Sequence, residues 1–358
     1  HTAAGPDGLP AEFLRKAPAV VHRCLAAVFN FSWSYGVVPK CWKQANSFCL
    51  FKKGPRSDPS SYRIISVTSV VMRAFERMVK ERLTSHLEGL GFFHPSQAGF
   101  RSGLSTVDHI YQLQRAIRDA VHKRKRLPVV FLDIVKAFDR VCHKRLLYKL
   151  RYQAHVSGKA WCWLEAFLSD REFRITQGPF ASEFFPVSAG VPQGCVLSPL
   201  LFIIFINDLA STGTLRMLLA MFADDVAAWP VLLSMRVASQ YAELRRFLLF
   251  VSQWSALWCL EFSISKTKVI EYSRKHYDAA CRRNMILCRS ALSLCASMKY
   301  LGITIDENCS SRTHCEELLG KCKQTAYYIG RITDRFSAPS PSVIVRLVRA
   351  ILIPQLTY

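Results

Sequence analysis

Three carboxylates stand in strongly apolar company along this 358-residue chain. Asp224 and Asp225 are adjacent in Phe222-Ala223-Asp224-Asp225, directly after Leu218-Leu219-Ala220-Met221. Asp133 closes the run Val129-Val130-Phe131-Leu132. Neighbouring like charges repel, and an ionised carboxylate in apolar surroundings is costly unless something pairs with it. Each aspartate taken alone reads equally well as an ordinary turn or strand-end residue. Together they make an oxygen-rich site suited to Mg²⁺, which keeps several waters and takes only one or two carboxylates plus substrate phosphates. Two such ions activate an attacking hydroxyl and stabilise a leaving phosphate group.

For that chemistry the elements must bring the carboxylates together. Alternation puts Val129, Phe131 and Asp133 on one face of a strand, with Asp133 at its C-terminal end. Leu215 to Trp229 reads as two strands folded about Asp224 and Asp225, a tip where aspartate tolerates turn geometry. If both elements lie in one sheet, Asp133 and Asp224 converge. Around them the sequence predicts helices from about residue 11 to Phe31, Val67 to Leu90, Thr106 to His122, His143 to Leu150 and Ala238 to Trp258. Short strands are expected at Ser47 to Phe51, Val269 to Tyr272 and Tyr300 to Ile303, with a hairpin from Glu172 to Val187 about Gln177-Gly178-Pro179. Pro192-Gln193-Gly194 opens a helix with an apolar face at Leu200 to Ile206, and the chain turns helical again from Thr313. No internal repeat is evident. The pattern is α+β with a small antiparallel sheet, not alternating βαβ units.

Composition narrows the partners. Lys and Arg number 48 against 26 Asp and Glu, a formal net charge of +22, and half the residues are hydrophobic. The excess is spread along the chain and points to a polyanion, most simply nucleic acid. The run His122-Lys123-Arg124-Lys125-Arg126, taken alone, reads as a solvated surface or an address signal. Thirteen cysteines without a CxxC pair or a secretory leader suit reduced intracellular thiols. Cys309, His314, Cys315 and Cys322 are the nearest approach to a metal cluster, and helix-face thiols are the better reading. No segment is long and apolar enough for a membrane helix; the run Val196 to Ile206 is too short and holds Ser198 and Pro199. Both ends look cut, as in a piece of a longer protein.

The order of motifs carries a resemblance. Phe131-Leu132-Asp133 through Phe138-Asp139, then Gly190-Val191-Pro192-Gln193-Gly194 through Pro199, then Phe222-Ala223-Asp224-Asp225 closely resemble the successive palm motifs of reverse transcriptases. The variant is similar to that of non-LTR (LINE-type) retrotransposons. Ser61-Tyr62-Arg63 through Ser66 and Gln97-Ala98-Gly99-Phe100-Arg101 resemble fingers motifs. Lys266-Thr267-Lys268 and Tyr300-Leu301-Gly302 look like the two later palm motifs, and Gly5 to Phe13 is similar to the N-terminal extension. Ile64, Val135 and Ser263 depart from the common pattern, where proline, an acidic residue and asparagine are usual.

The resemblance implies a right-hand polymerase fold: an N-terminal extension over 1–45, fingers and palm over 46–303, and the start of a helical thumb over 304–358. It implies Asp133 and Asp224 as metal-binding aspartates with Asp225 as the auxiliary third, and two Mg²⁺ ions, with Mn²⁺ as a substitute. Phe138 is then the aromatic beneath the sugar that excludes a 2′-hydroxyl, and Gln193 and Gly194 touch the incoming nucleotide and template. Arg63 and Arg101 contact the triphosphate, for which bidentate guanidinium suits. Lys266 protonates pyrophosphate as general acid, and Tyr300, Leu301 and Gly302 grip the primer. The implied activity is RNA-directed DNA polymerisation on an RNA template and DNA primer with dNTPs, inside the cell as a ribonucleoprotein in nucleus or cytoplasm. Endonuclease and nucleic-acid-binding modules are missing from the chain. Alternatives are a group II intron or retron enzyme, an RNA-dependent RNA polymerase, and a decayed fragment that only binds RNA.

Overall fold

A computed structural model of the chain describes residues 4–212, 215–231, 236–273, 285–308, 310–333 and 339–357. Fourteen strands occur among these: β1 (Gln44–Phe51), β2 (Tyr62–Thr68), β3 (Leu127–Leu132), β4 (Arg171–Gln177), β5 (Phe180–Ala181), β6 (Phe185–Val187), β7 (Met217–Phe222), β8 (Asp225–Pro230), β9 (Lys268–Tyr272), β10 (Ile286–Leu287), β11 (Ser290–Ala291), β12 (Ser293–Leu294), β13 (Ser297–Tyr300) and β14 (Ile303–Asp306). They form two larger sheets. One has the order β12-β9-β3-β8-β7, and β3, β7, β8 and β9 pair antiparallel. The other runs β2-β1-β4-β5, with β6 also on β4 and β1 parallel to β4.

Strand alternation divides the first sheet between two cores. Val130 and Leu132 of β3, Leu219 and Met221 of β7 and Val226 and Ala228 of β8 face helices Ser198–Ile206 and Val237–Trp258. Val129 and Phe131, Ala220, and Ala227 and Trp229 face helix Thr106–His122 through Ile110, Leu113 and Ile117. The β3 face carrying Phe131 continues to Asp133, so the period-2 reading holds. Helix Thr106–His122 has the bounds expected from its apolar stripe, and its start is closed by a capping box between Ser105 and Asp108.

Four local expectations need correction. The stretch read as helix from Val67 contains the end of β2, and the helix begins at Val70 behind the Ser69 N-cap. β2 was hidden because Ile64 to Val71 is one β-branched-rich run without the alternation that marks a strand. Helix Ser198–Ile206 has no single apolar face: seven of its nine residues are apolar and buried, as suits a helix enclosed on all sides. Tyr300 to Ile303 is not one strand but a turn between β13 and β14, in which Leu301 (φ 46°) and Gly302 (φ 88°) take left-handed backbone. Helix Gly158–Leu168, which buries Trp163 and Phe167, was not recognised. No helix among the described residues is long and apolar enough to cross a membrane.

Candidate active site

The hairpin β7–β8 fixes the two adjacent aspartates. Phe222 pairs with Asp225, leaving Ala223 and Asp224 as the two-residue turn. Ala223 holds φ 55°, a left-handed conformation that costs an L-residue of order 1 kcal/mol or more unless its surroundings enforce it. They do. The side-chain oxygen of Gln97, itself fully buried, accepts the Ala223 N–H at 3.1 Å and the Gly99 N–H at 2.8 Å. Gly99 lies so close that a Cβ on it would stand 2.3 Å from the Ala223 nitrogen. The Gln97-Ala98-Gly99 segment is thus a brace under the aspartate turn.

Asp133 follows β3, whose Leu132 pairs with Val226 next to Asp225, so sheet register brings the three carboxylates to one end of the sheet. Its backbone N–H donates to the Thr267 hydroxyl at 3.2 Å, and its carbonyl accepts the Ser263 N–H at 2.8 Å. The Lys266 ammonium lies 3.3 Å from Asp133 Oδ2. Ser263 supports this loop despite replacing asparagine: its hydroxyl accepts the Lys266 N–H at 3.4 Å.

The electrostatics are those of a site short of positive charge. Burial raises the Asp224 carboxyl above the usual carboxylate range, the Asp133 charge raises it further, and Arg63 and Lys52 oppose the rise. Burial, then the charges of Asp224 and Asp133, push Asp225 up to about 6, with Lys52 opposing. A divalent cation would relieve this repulsion, and carboxylate oxygens are the donors a hard cation takes. Among the described residues no three carboxylate, histidine or cysteine side chains form a ready-made cage. The donors on hand are Asp133 and Asp224 at one sheet end, with Asp225 beside them. The residues present fit Mg²⁺.

An open cleft of about 910 Å³ joins Asp133, Asp224 and Lys266, whereas Asp225 is not among its lining residues. Asp133, Asp224, Arg63, Phe138, Gln193, Gly194 and Lys266 all line it. So does Lys52, which the motif reading did not single out; a Lys-Lys-Gly at the end of an apolar strand was the available signal. The Phe138 ring is half-buried and stacks on Phe202 at 4.5 Å. Gln193 donates from Nε2 to Asp139 Oδ1 at 3.1 Å, and its carbonyl accepts the Ser66 N–H at 2.7 Å. Gly194 (φ 118°) could not be another residue, since a Cβ would stand 2.2 Å from the Ser66 carbonyl oxygen.

Two expected contacts lie elsewhere. Arg101 does not line the cleft: its guanidinium makes a two-point pair with Glu88, at 3.0 and 2.8 Å, and lies 5.2 Å over the Phe93 ring. A guanidinium so engaged has little left for a triphosphate. Tyr300 is buried against Phe131 and donates its hydroxyl to the Ala220 carbonyl at 3.0 Å. Leu301 is buried as well, and of the three only Gly302 is exposed. Of the thiol–histidine group, Cys309 lies outside the described residues. Cys322 is buried, and His314 Nδ1 accepts the Thr304 N–H at 3.3 Å.

Residues 51–305, most of the chain, match the family described as reverse transcriptase (RNA-dependent DNA polymerase). The chain belongs to the reverse transcriptase family. It is similar to a probable RNA-directed DNA polymerase from transposon BS of Drosophila melanogaster, 30% identical over 98% of this chain and 38% of that protein. It is likewise similar to the RNA-directed DNA polymerase from mobile element jockey of the same species, 26% identical over 99% of this chain and 39% of that protein. The chain thus spans well under half the length of these relatives. Among solved structures, apo telomerase of Candida tropicalis lacking its C-terminal domain shares the fold, with a TM-score of 0.52 at 14% identity over 82% of this chain and 59% of that one. Telomerase of Candida tropicalis in complex with a fragment of telomeric RNA gives 0.52 at 13% over 94% and 57%. The right-hand polymerase fold expected from the motifs is the fold observed.

Proposed function

We propose that this reverse transcriptase chain is the polymerase part of a non-LTR retrotransposon protein. It transfers deoxynucleotides from dNTPs to the 3′-end of a DNA primer under the direction of an RNA template. The observation that carries this reading is the convergence of Asp133 and Asp224 at one sheet end, inside a cleft whose charged lining includes Lys52, Lys53, Arg63, Lys136 and Lys266 beside Asp58 and Asp139.

Asp133, Asp224 and Asp225 would hold Mg²⁺, with Mn²⁺ able to replace it; when bound, the metal supplies charge stabilisation to the phosphates and lowers the pKa of the attacking hydroxyl. Lys52 and Arg63 attract and orient the triphosphate, the guanidinium offering a planar fork to its oxygens. Lys266 stands at the rim beside Asp133, where its ammonium can give a proton to the departing pyrophosphate oxygen. Phe138 bounds the space beside the sugar. Gln193 and Gly194 bring backbone and an amide against the base pair being formed, and Gly302, the exposed residue of its turn, offers backbone to the primer.

In this reading, 1–45 leads into the fingers, 46–303 forms fingers and palm, and 304–358 begins the thumb. The retrotransposon's other activities, and its residence as a ribonucleoprotein in nucleus or cytoplasm, belong to the longer protein. Primer extension on RNA and DNA templates with Mg²⁺ or Mn²⁺ tests the proposal. Metal-dependent extension on RNA supports it. RNA binding without extension on either template would make the chain a binding module only.

A further inference from the structure

The loop from Pro192 to Val196 carries Gln193 and Gly194 into the cleft, yet little packs beneath its leading half. A mostly apolar cavity of about 170 Å³, lined by Ala45, Ile64, Phe173, Val187, Val191 and Pro192 among others, lies beside the point where the loop meets β2. Its anchors at the trailing end are polar. Glu76, on helix Val70–Gly89, is fully buried, and its Oε2 accepts the Leu197 N–H at 3.0 Å. This places a carboxylate against the N-terminus of helix Ser198–Ile206, where the helix dipole favours negative charge.

Burial raises the Glu76 carboxyl above the usual carboxylate range, and the Leu197 N–H and the charge of Arg171, itself 1% exposed, oppose the rise. Arg171 donates to the Phe167 carbonyl at 3.1 Å and reaches within 3.7 Å of Cys195 Sγ. Burial pushes the Cys195 thiol up to about 12, so it sits there as a neutral group. Glu76 Oε1 has no hydrogen-bond partner. Arg171 lies outside ion-pair distance of Glu76, and a polar group this buried adds little net stability, because desolvation offsets what its hydrogen bond gains. What it supplies is a fixed position. One end of the loop is tied to β2 through Ser66, and the other to Glu76 and Arg171.

We infer that Glu76, through its hydrogen bond to the Leu197 N–H, is a positioning residue that sets where Gln193 and Gly194 stand in the cleft, and so the affinity for the incoming nucleotide. The inference rests on the polymerase reading above. It acts through Leu197 and Cys195, since neither Glu76 nor Arg171 lines the catalytic cleft.

Two variants test it. Glu76→Gln keeps the shape and removes the charge. Glu76→Leu combined with Arg171→Met removes both charges and leaves neither buried alone, and a melt run beside the assays checks that it folds. In extension assays at saturating primer–template, both should raise the KM for dNTP about tenfold, as expected when a contacting group is misplaced by a fraction of an ångström to an ångström. The kcat should move much less, and the Kd for primer–template not at all. Amide exchange should quicken in 192–197 and stay unchanged in β7. A folded double variant whose KM matches wild type would overturn the inference, as would unchanged exchange in 192–197 in either variant. Wild-type protein that fails to extend primers would instead remove the polymerase reading, while the exchange arm still decides whether the pair anchors the loop.

Discussion

Asp225 shows how a residue's surroundings bias the site. With its carboxyl pushed up to about 6 against an ordinary 3.8, the folded protein binds that proton more tightly than the unfolded chain. Between pH of about 4 and 6 the folded state therefore carries the extra proton, and stability falls as pH rises through that window. In metal-free buffer the thermal midpoint of wild type should drop from pH 4 to 6 more steeply than that of Asp225→Asn. Mg²⁺ should raise the midpoint more at pH 7 than at pH 5, because only the ionised carboxylate attracts it; equal shifts at both values would contradict the charge reading. Phe138 is a second case. Its ring both lines the cleft and stacks on Phe202, so Phe138→Ala should lose stability by a few kcal/mol at most, below the roughly 3–5 typical of a fully enclosed Phe. Steady-state incorporation should show a gain in rNTP relative to dNTP use, and an unchanged ratio in a destabilised protein would leave the ring purely structural. Arg101, engaged by Glu88, should act differently from its motif role: Arg101→Ala lowers the melting temperature and leaves the KM for dNTP near wild type.

At the scale of elements, the site depends on close approach between segments far apart in sequence. Gly99 touches the Ala223 backbone, so Gly99→Ala must shift the Asp224 turn or the brace beneath it. Overpacking of this kind costs about 1–3 kcal/mol, and here extension should fall by more than the melt alone explains. A melt and a kcat measured on the same preparation check this. The same dependence explains what the sequence could reveal. β3, the β7–β8 hairpin and helix Thr106–His122 carry their own periodicity, and so the sequence places Asp133 at a strand end and Asp224 and Asp225 about a hairpin tip. β2 was not, because its β-branched run merges into the start of a helix. Helix Ser198–Ile206 could be placed but not oriented, since a uniformly apolar segment has no preferred face. Arg101 and Tyr300 were named by motif position, but position does not say what lies opposite. Glu88 and the Ala220 carbonyl are partners that only the tertiary fold supplies. Lys52 opens a Pro/Ser/Gly-rich loop that the sequence shows, but which side chains of that loop reach the cleft is set by the tertiary fold.

Across the whole molecule, the formal charge of +22 favours a polyanionic partner. Affinity for primer–template should fall linearly in log–log terms with salt, each neutralised phosphate contributing a slope of about 0.9 on duplex and about 0.7 on single strand. Titrations at several salt concentrations would count those contacts, and a flat response would mean the basic excess lies away from the nucleic acid. The central claim remains that Asp133 and Asp224 act together in nucleotidyl transfer. Its most direct measurement is extension of a DNA primer on an RNA template by Asp133→Asn and by Asp224→Asn, beside their affinity for the same primer–template. Both variants should bind RNA nearly as wild type does and extend no primer; near wild-type extension by either one would contradict the claim.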